Sequence, residues 1–139
     1  MNPVDQTILN DPDNGVYGDC QRACIASLLE MDPYDIPHFN EKNDDIHFNE
    51  TLNGFLGSLG YFHLISNTFS FYTHQKFGAV DCYHLIYGKT ERGTQHAVVG
   101  LNGKMVHDPH PSRAGLLDSD KDNWAYAFLV SADAAVSAA

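Results

Sequence analysis

The spacing of apolar residues changes at Gly60, and that change constrains the fold more than any other feature of the chain. Before it, apolar and small residues recur at steps of three and four, the repeat that gives a helix one buried face. After it they gather in short runs of strand length. Cys20, Ala23, Cys24, Ser27, Leu28 and Met31 mark a helix over about residues 20–31. Asp19 is its expected N-cap, accepting from the first free amides, and Asp32-Pro33 its stop. Leu52, Phe55, Leu56 and Leu59 form the inward face of a second helix over about 50–58, closed by Gly60. Residues 32–50 carry prolines, asparagines and aspartates and predict a surface excursion that rims a cleft.

The strands are expected at 61–65, 79–87, 94–101, 104–107 and 124–130. The second, a nearly continuous apolar run from Ala79 to Tyr87, suits a central strand buried on both faces. Asn102-Gly103 predicts a tight hairpin. The alanine-rich stretch from Ser131 to Ala139 predicts a frayed tail. Helices followed by an antiparallel meander predict an α+β domain. At 139 residues the chain suits one domain, 1–139, with its core over about 12–130.

Charge and cysteine content narrow the function classes. Eight Lys and Arg against eighteen Asp and Glu give a net charge of −10. That balance disfavours a dedicated nucleic-acid binder, which needs clustered cations, and an anionic membrane partner. It leaves cationic and neutral substrates open. No apolar run approaches the roughly 18 residues that span a bilayer. Met1 to Asn10 lacks the pattern of a signal peptide, so a cytoplasmic protein is expected. Three cysteines do not read as a disulfide framework, and the Cys20–Cys24 spacing alone is a weak zinc pattern.

Cys20 stands at the first turn of the expected first helix. Outward-pointing amides there favour a thiolate, the nucleophilic form, although a cysteine on a helix is also a common small core residue. His96 heads the strand His96-Ala97-Val98-Val99, either as a hydrogen-bonded core residue or as a base at a sheet end. The hairpin at Asn102-Gly103 would set position 96 opposite 109 and so bring Asp108 near His96. Pro109 holds Asp108 extended, as an orienting carboxylate or as an Asp-Pro turn. Asn14, six residues before Cys20, is either an oxyanion donor or half of an Asn-Gly turn. His84 and Asp81 are read as interior residues, with His84 the alternative base. Arg113 is read as a surface arginine that could meet a substrate carboxylate. The groups His107, Asp108, His110 and Asp44, Asp45, His47 match no firm metal-ligand spacing.

Together, Asn14-Gly15-Val16-Tyr17-Gly18-Asp19-Cys20-Gln21-Arg22-Ala23-Cys24, His96-Ala97-Val98-Val99 and Asp108-Pro109 resemble the bacteriocin-processing, double-glycine-leader peptidases of the papain-like superfamily. The order Cys, His, Asp agrees over about residues 12–130. The resemblance implies a papain-like fold, with a helix carrying Cys20 packed on an antiparallel sheet carrying His96 and Asp108. It implies a cysteine-dependent hydrolase of a peptide or other amide bond, working without metal or cofactor on a peptide, protein or small amide. An amidase or acyltransferase using the same triad, and a non-catalytic papain-like binding or inhibitory domain, are the alternatives. Two positions depart from the family: Asn14 stands at its glutamine, and Gln21 at the glycine after its cysteine.

Overall fold

The computed structural model describes residues 1–67 and 81–132. They form an α+β unit in which two helices pack on a five-stranded antiparallel sheet. The helices are α1 (Cys20–Leu29) and α2 (Asp45–Ser58). The strands are β1 (Tyr61–Ser66), β2 (Tyr83–Lys89), β3 (Gln95–Leu101), β4 (Lys104–His107) and β5 (Ala125–Ser131).

The sheet order is β1-β5-β2-β3-β4, which corrects the expected meander. Strands β2, β3 and β4 follow one another, but β5 returns to lie between β1 and β2. Ala127 pairs with Ile65 on one side and Leu85 on the other. The reason is the apolar run itself: Leu85 and Ile86 are fully buried, so β2 needs a covered ladder on both edges. Strand β2 is central, as expected, but it begins at Tyr83, leaving half-buried Cys82 just outside it. The expected start of this strand at 79–80 and the tail at 133–139 lie outside the described residues.

One face of the sheet meets the helices. Cys24, Ile25, Leu52 and Leu56 close on Leu85, Ala97, Val99 and Ala127. The excursion between the helices is only partly a surface feature, because Ile36 and Phe39 are buried in this layer. Truncating Phe39 to alanine would remove about 3–5 kcal/mol of packing. Ile86, Val98, Trp124 and Tyr126 form a smaller cluster on the other face.

The helix ends differ from expectation for local reasons. α1 stops at Leu29 because Glu30 takes a left-handed conformation, φ 55°, and Asp32 instead caps a short 3-10 turn at Pro33–Asp35. α2 starts five residues early because the Asp44 carboxylate accepts from the Ile46 and His47 amides. Leu59 falls past the last turn and is exposed, not inward. The hairpin turn is as expected: Asn102 and Gly103 have φ of 53° and 88°, the left-handed pair of a type I′ turn. Beyond it the register shifts, with Gly100 opposite Met105 and Val99 opposite His107. Val106 is thus one extra residue in β4, a bulge, and the ladder ends just before Asp108. Among the described residues, no helix is long and apolar enough to cross a membrane.

Candidate active site

Cys20 is the first residue of α1 and half-exposed. The first closed turn runs from the Ala23 amide to the Asp19 carbonyl, so the amides at the helix start have no helical acceptor. Asp19 holds this corner in an unexpected way. Its carboxylate does not cap α1 but turns toward the N-terminal segment. It accepts from the Thr7 amide at 3.0 Å, the Thr7 hydroxyl at 2.6 Å and the Ile8 amide at 2.9 Å. The Arg22 guanidinium closes the set with a 2.8 Å ion pair. Burial alone would raise the Asp19 pKa, but these donors hold it below the ordinary value. The negative charge beside Cys20 is therefore absorbed by five donor contacts, and the N-terminal segment is fastened across the start of α1.

His96 is the second residue of β3, where the sheet ends beside the start of α1. Strand alternation classes it with Val98, away from α1, yet at this end position its ring interacts with Cys20. Its Nε2 lies 2.7 Å from Asp108 Oδ1, which leaves Nδ1 for the sulfur. Asp108 is buried and both of its oxygens are hydrogen-bonded. Oδ1 also accepts from the His110 amide at 2.9 Å, and Oδ2 accepts from the Gly115 amide at 2.7 Å. Gly115 presents that amide from a left-handed conformation, φ 73°, where a side chain would press on Met105. Burial works against the charged form of both partners. The hydrogen bonds outweigh it: contacts with Asp108 and Cys20 push His96 up to about 9, and His96 with the two amides draws Asp108 down to about 2.

The three residues expected to act together thus meet at one place. Cys20 and His96 line a cleft of about 560 Å³, and Asp108 stands behind His96. The fourth does not join them. Asn14 sits on an exposed 3-10 turn, Pro12–Asn14, with its amide donating to Asp11 Oδ2 at 2.8 Å, and it does not line the cleft. Its reach ends at its own turn, which corrects its assignment as oxyanion donor. The side-chain amides that do line the cleft include that of Gln6. It packs so closely on Gly18 that a Cβ at 18 would come within 3.1 Å of Gln6 Nε2. Gln6 Nε2 donates to the Ile8 carbonyl at 3.1 Å, one of its two hydrogens.

Gln21 points inward, not into the cleft. Its amide donates to the Tyr87 hydroxyl, which lies 2.9 Å from His63 Nε2. Burial lowers the His63 pKa and raises that of Tyr87. A neutral His63 accepting from Tyr87 completes this buried chain between α1 and β1. His84 is buried against Tyr126 and Phe128, with Nδ1 3.0 Å from the Leu85 carbonyl and Nε2 accepting from the Gly103 amide. It pins the β3–β4 turn and takes no part in the cleft. Asp81 accepts from the Asn102 amide. Arg113 is not a free surface group: it forks onto Asp5 and also donates to the Asp108 carbonyl. His107 donates to the Val4 carbonyl, and Asp44 caps α2.

The remaining cleft walls come from segments with no motif. Asn10, Tyr17, Asn40, Asn43, Arg92 and Gln95 complete most of the lining. The excursion between the helices therefore does rim the cleft, through Asn40 and Asn43. No family model, curated protein or solved structure matches this chain.

Proposed function

We propose that this protein is a papain-like cysteine hydrolase acting on an amide bond, in the cytoplasm. The observation that carries the reading is the gathering of Cys20, His96 and Asp108 at the edge of one cleft, with His96 hydrogen-bonded to Asp108 and lining the cleft with Cys20. An imidazole with a pKa near 9 keeps its proton at neutral pH, beside a cysteine at a helix start. Free Cys20, Cys24 and Cys82 suit a reducing compartment.

In this reading Cys20 Sγ, as thiolate, bonds to the substrate carbonyl carbon. The carbon–nitrogen bond breaks and the His96 proton goes to the departing amine. Water then attacks the thioester while His96 takes its proton, and the carbon–sulfur bond breaks to restore the thiolate–imidazolium pair. Asp108 keeps the ring aimed and stabilises its charge. The Cys20 amide, with Gln6 in the place expected of Asn14, stabilises the oxyanion of each tetrahedral intermediate.

Mass spectrometry after acid quench tests the reading. The protein is mixed with a library of capped peptide amides and the Cys20 peptide is searched for an acyl adduct. The expected result is an acyl mass on Cys20 and released amine, both lost in Cys20→Ala. Binding of the library without adduct or amine release would leave a non-catalytic binding domain.

A further inference from the structure

We propose that Arg92 makes one wall of the cleft a carboxylate-binding subsite, so that the substrate carries a carboxylate close to the amide bond. The proposal rests on the cysteine-hydrolase reading and names its substrate class.

The chain has three arginines, and two are committed elsewhere. Arg22 pairs with Asp19 at 2.8 Å and Arg113 with Asp5 at 2.6 Å. Arg92 makes no ion pair among the described residues. It stands exposed on the turn between β2 and β3, with Nη1 3.4 Å from Ser112 Oγ, and it lines the cleft with Cys20 and His96. A guanidinium presents five donors in a planar fork that matches a carboxylate. One of them is occupied, and loosely.

The rest of the wall points the same way. Eighteen of the residues are Asp or Glu, yet among the described residues none lines this cleft. The other polar side chains there are amides, hydroxyls and imidazoles, including Asn10, Asn40, Asn43, Thr94 and Gln95. Arg92 thus supplies a positive charge to a wall on which no carboxylate is found among the described residues, and an anionic group is drawn to it. His110 adds a neutral donor beside Arg92. Its Nδ1 accepts from the Ser112 amide at 3.1 Å, which places the ring proton on Nε2. Arg113, the arginine the sequence suggested for a substrate carboxylate, is already occupied by Asp5.

The test uses iodoacetate and iodoacetamide, reagents of similar size and chemistry that differ in charge. Their alkylation rates on Cys20 are read by mass spectrometry of the Cys20 peptide. The ratio of the iodoacetate to the iodoacetamide rate should fall roughly threefold in Arg92→Gln and less in Arg92→Lys. Added salt should lower the wild-type ratio more than that of Arg92→Gln. A ratio unchanged by Arg92→Gln would overturn the subsite while leaving the hydrolase reading intact. Cys20 no more reactive toward either reagent than in the denatured chain would instead overturn the hydrolase reading. Protection of Cys20 from iodoacetamide identifies the carboxylate's source. N-acetylalanine protecting best assigns a chain terminus, and N-acetylglutamate α-amide protecting best assigns an acidic side chain. Protection by neither, at high millimolar concentration and relative to neutral N-acetylalanine amide, overturns the subsite.

Discussion

His96 Nε2 and Asp108 Oδ1 are 2.7 Å apart, and this bond ties the head of β3 to the loop that follows β4. The two residues are not a strand pair. The bulge at Val106 ends the ladder at His107, and the Gly115 turn folds back to donate its amide to the carboxylate's other oxygen. His96 spends Nε2 on Asp108 and keeps Nδ1 out of that bond, in the cleft it lines with Cys20.

The pair predicts a defined pH dependence of stability. His96 is raised from 6.5 to about 9 in the folded chain, so its contribution is complete below about 6.5 and is lost as pH rises through about 9. Asp108 is lowered from 3.8 to about 2, so its contribution is present above 3.8 and lost as pH falls through about 2. Urea melts of wild type and Asp108→Asn should therefore differ most between about pH 4 and 6.5, and the difference should narrow as pH rises through about 9. A constant difference across that range would show that the pair carries no linked proton.

The oxyanion assignment is decided by two substitutions that sequence and structure rank differently. Gln6→Ala should lower turnover of an amide substrate about a hundredfold with little change in KM. Asn14→Ala should leave turnover within about twofold, because it disturbs only an exposed turn. The reverse ranking would return the role to Asn14 and would require its turn to rearrange on binding.

Thiol labelling should discriminate the three cysteines. Iodoacetamide near neutral pH should modify Cys20 first. Cys24 is fully buried, and burial followed by the charges of Cys20 and Asp108 pushes its pKa well up. Cys82 is half-exposed, with its pKa raised by burial, and should follow slowly. Peptide mapping with time reads the order, and Cys82 reacting first would contradict it.

Much of this was legible in the sequence, for physical reasons that also mark where legibility ends. A helical repeat and an Asn-Gly turn are local signals, so α1 and the β3–β4 hairpin could be placed, and the hairpin brought Asp108 toward His96. The insertion of β5 between β1 and β2 is a pairing across some forty residues, which no local pattern encodes. The Asp19 carboxylate could be assigned to α1 because nothing around position 19 reveals that Thr7 and Ile8 compete for it. Asn14 is near Cys20 in the chain, whereas Gln6 shares the cleft lining with it. The cleft walls at 10, 40, 43 and 92 are single residues on separate loops, without a period or a motif to betray them. A net charge of −10 likewise does not show that, among the described residues, no carboxylate lines the cleft.

The central claim is that Cys20 is a nucleophile driven by His96, and a mechanism-dependent label tests it most directly. A neutral epoxysuccinyl amide opens on a cysteine when a neighbouring acid gives the oxygen a proton. Intact-mass and peptide analysis should find one adduct per native chain, on Cys20, formed near neutral pH. The rate should fall about a thousandfold in His96→Ala and to the free-thiol level in the denatured chain. Adducts spread over Cys20, Cys24 and Cys82, or a Cys20 rate indifferent to His96→Ala, would contradict the account.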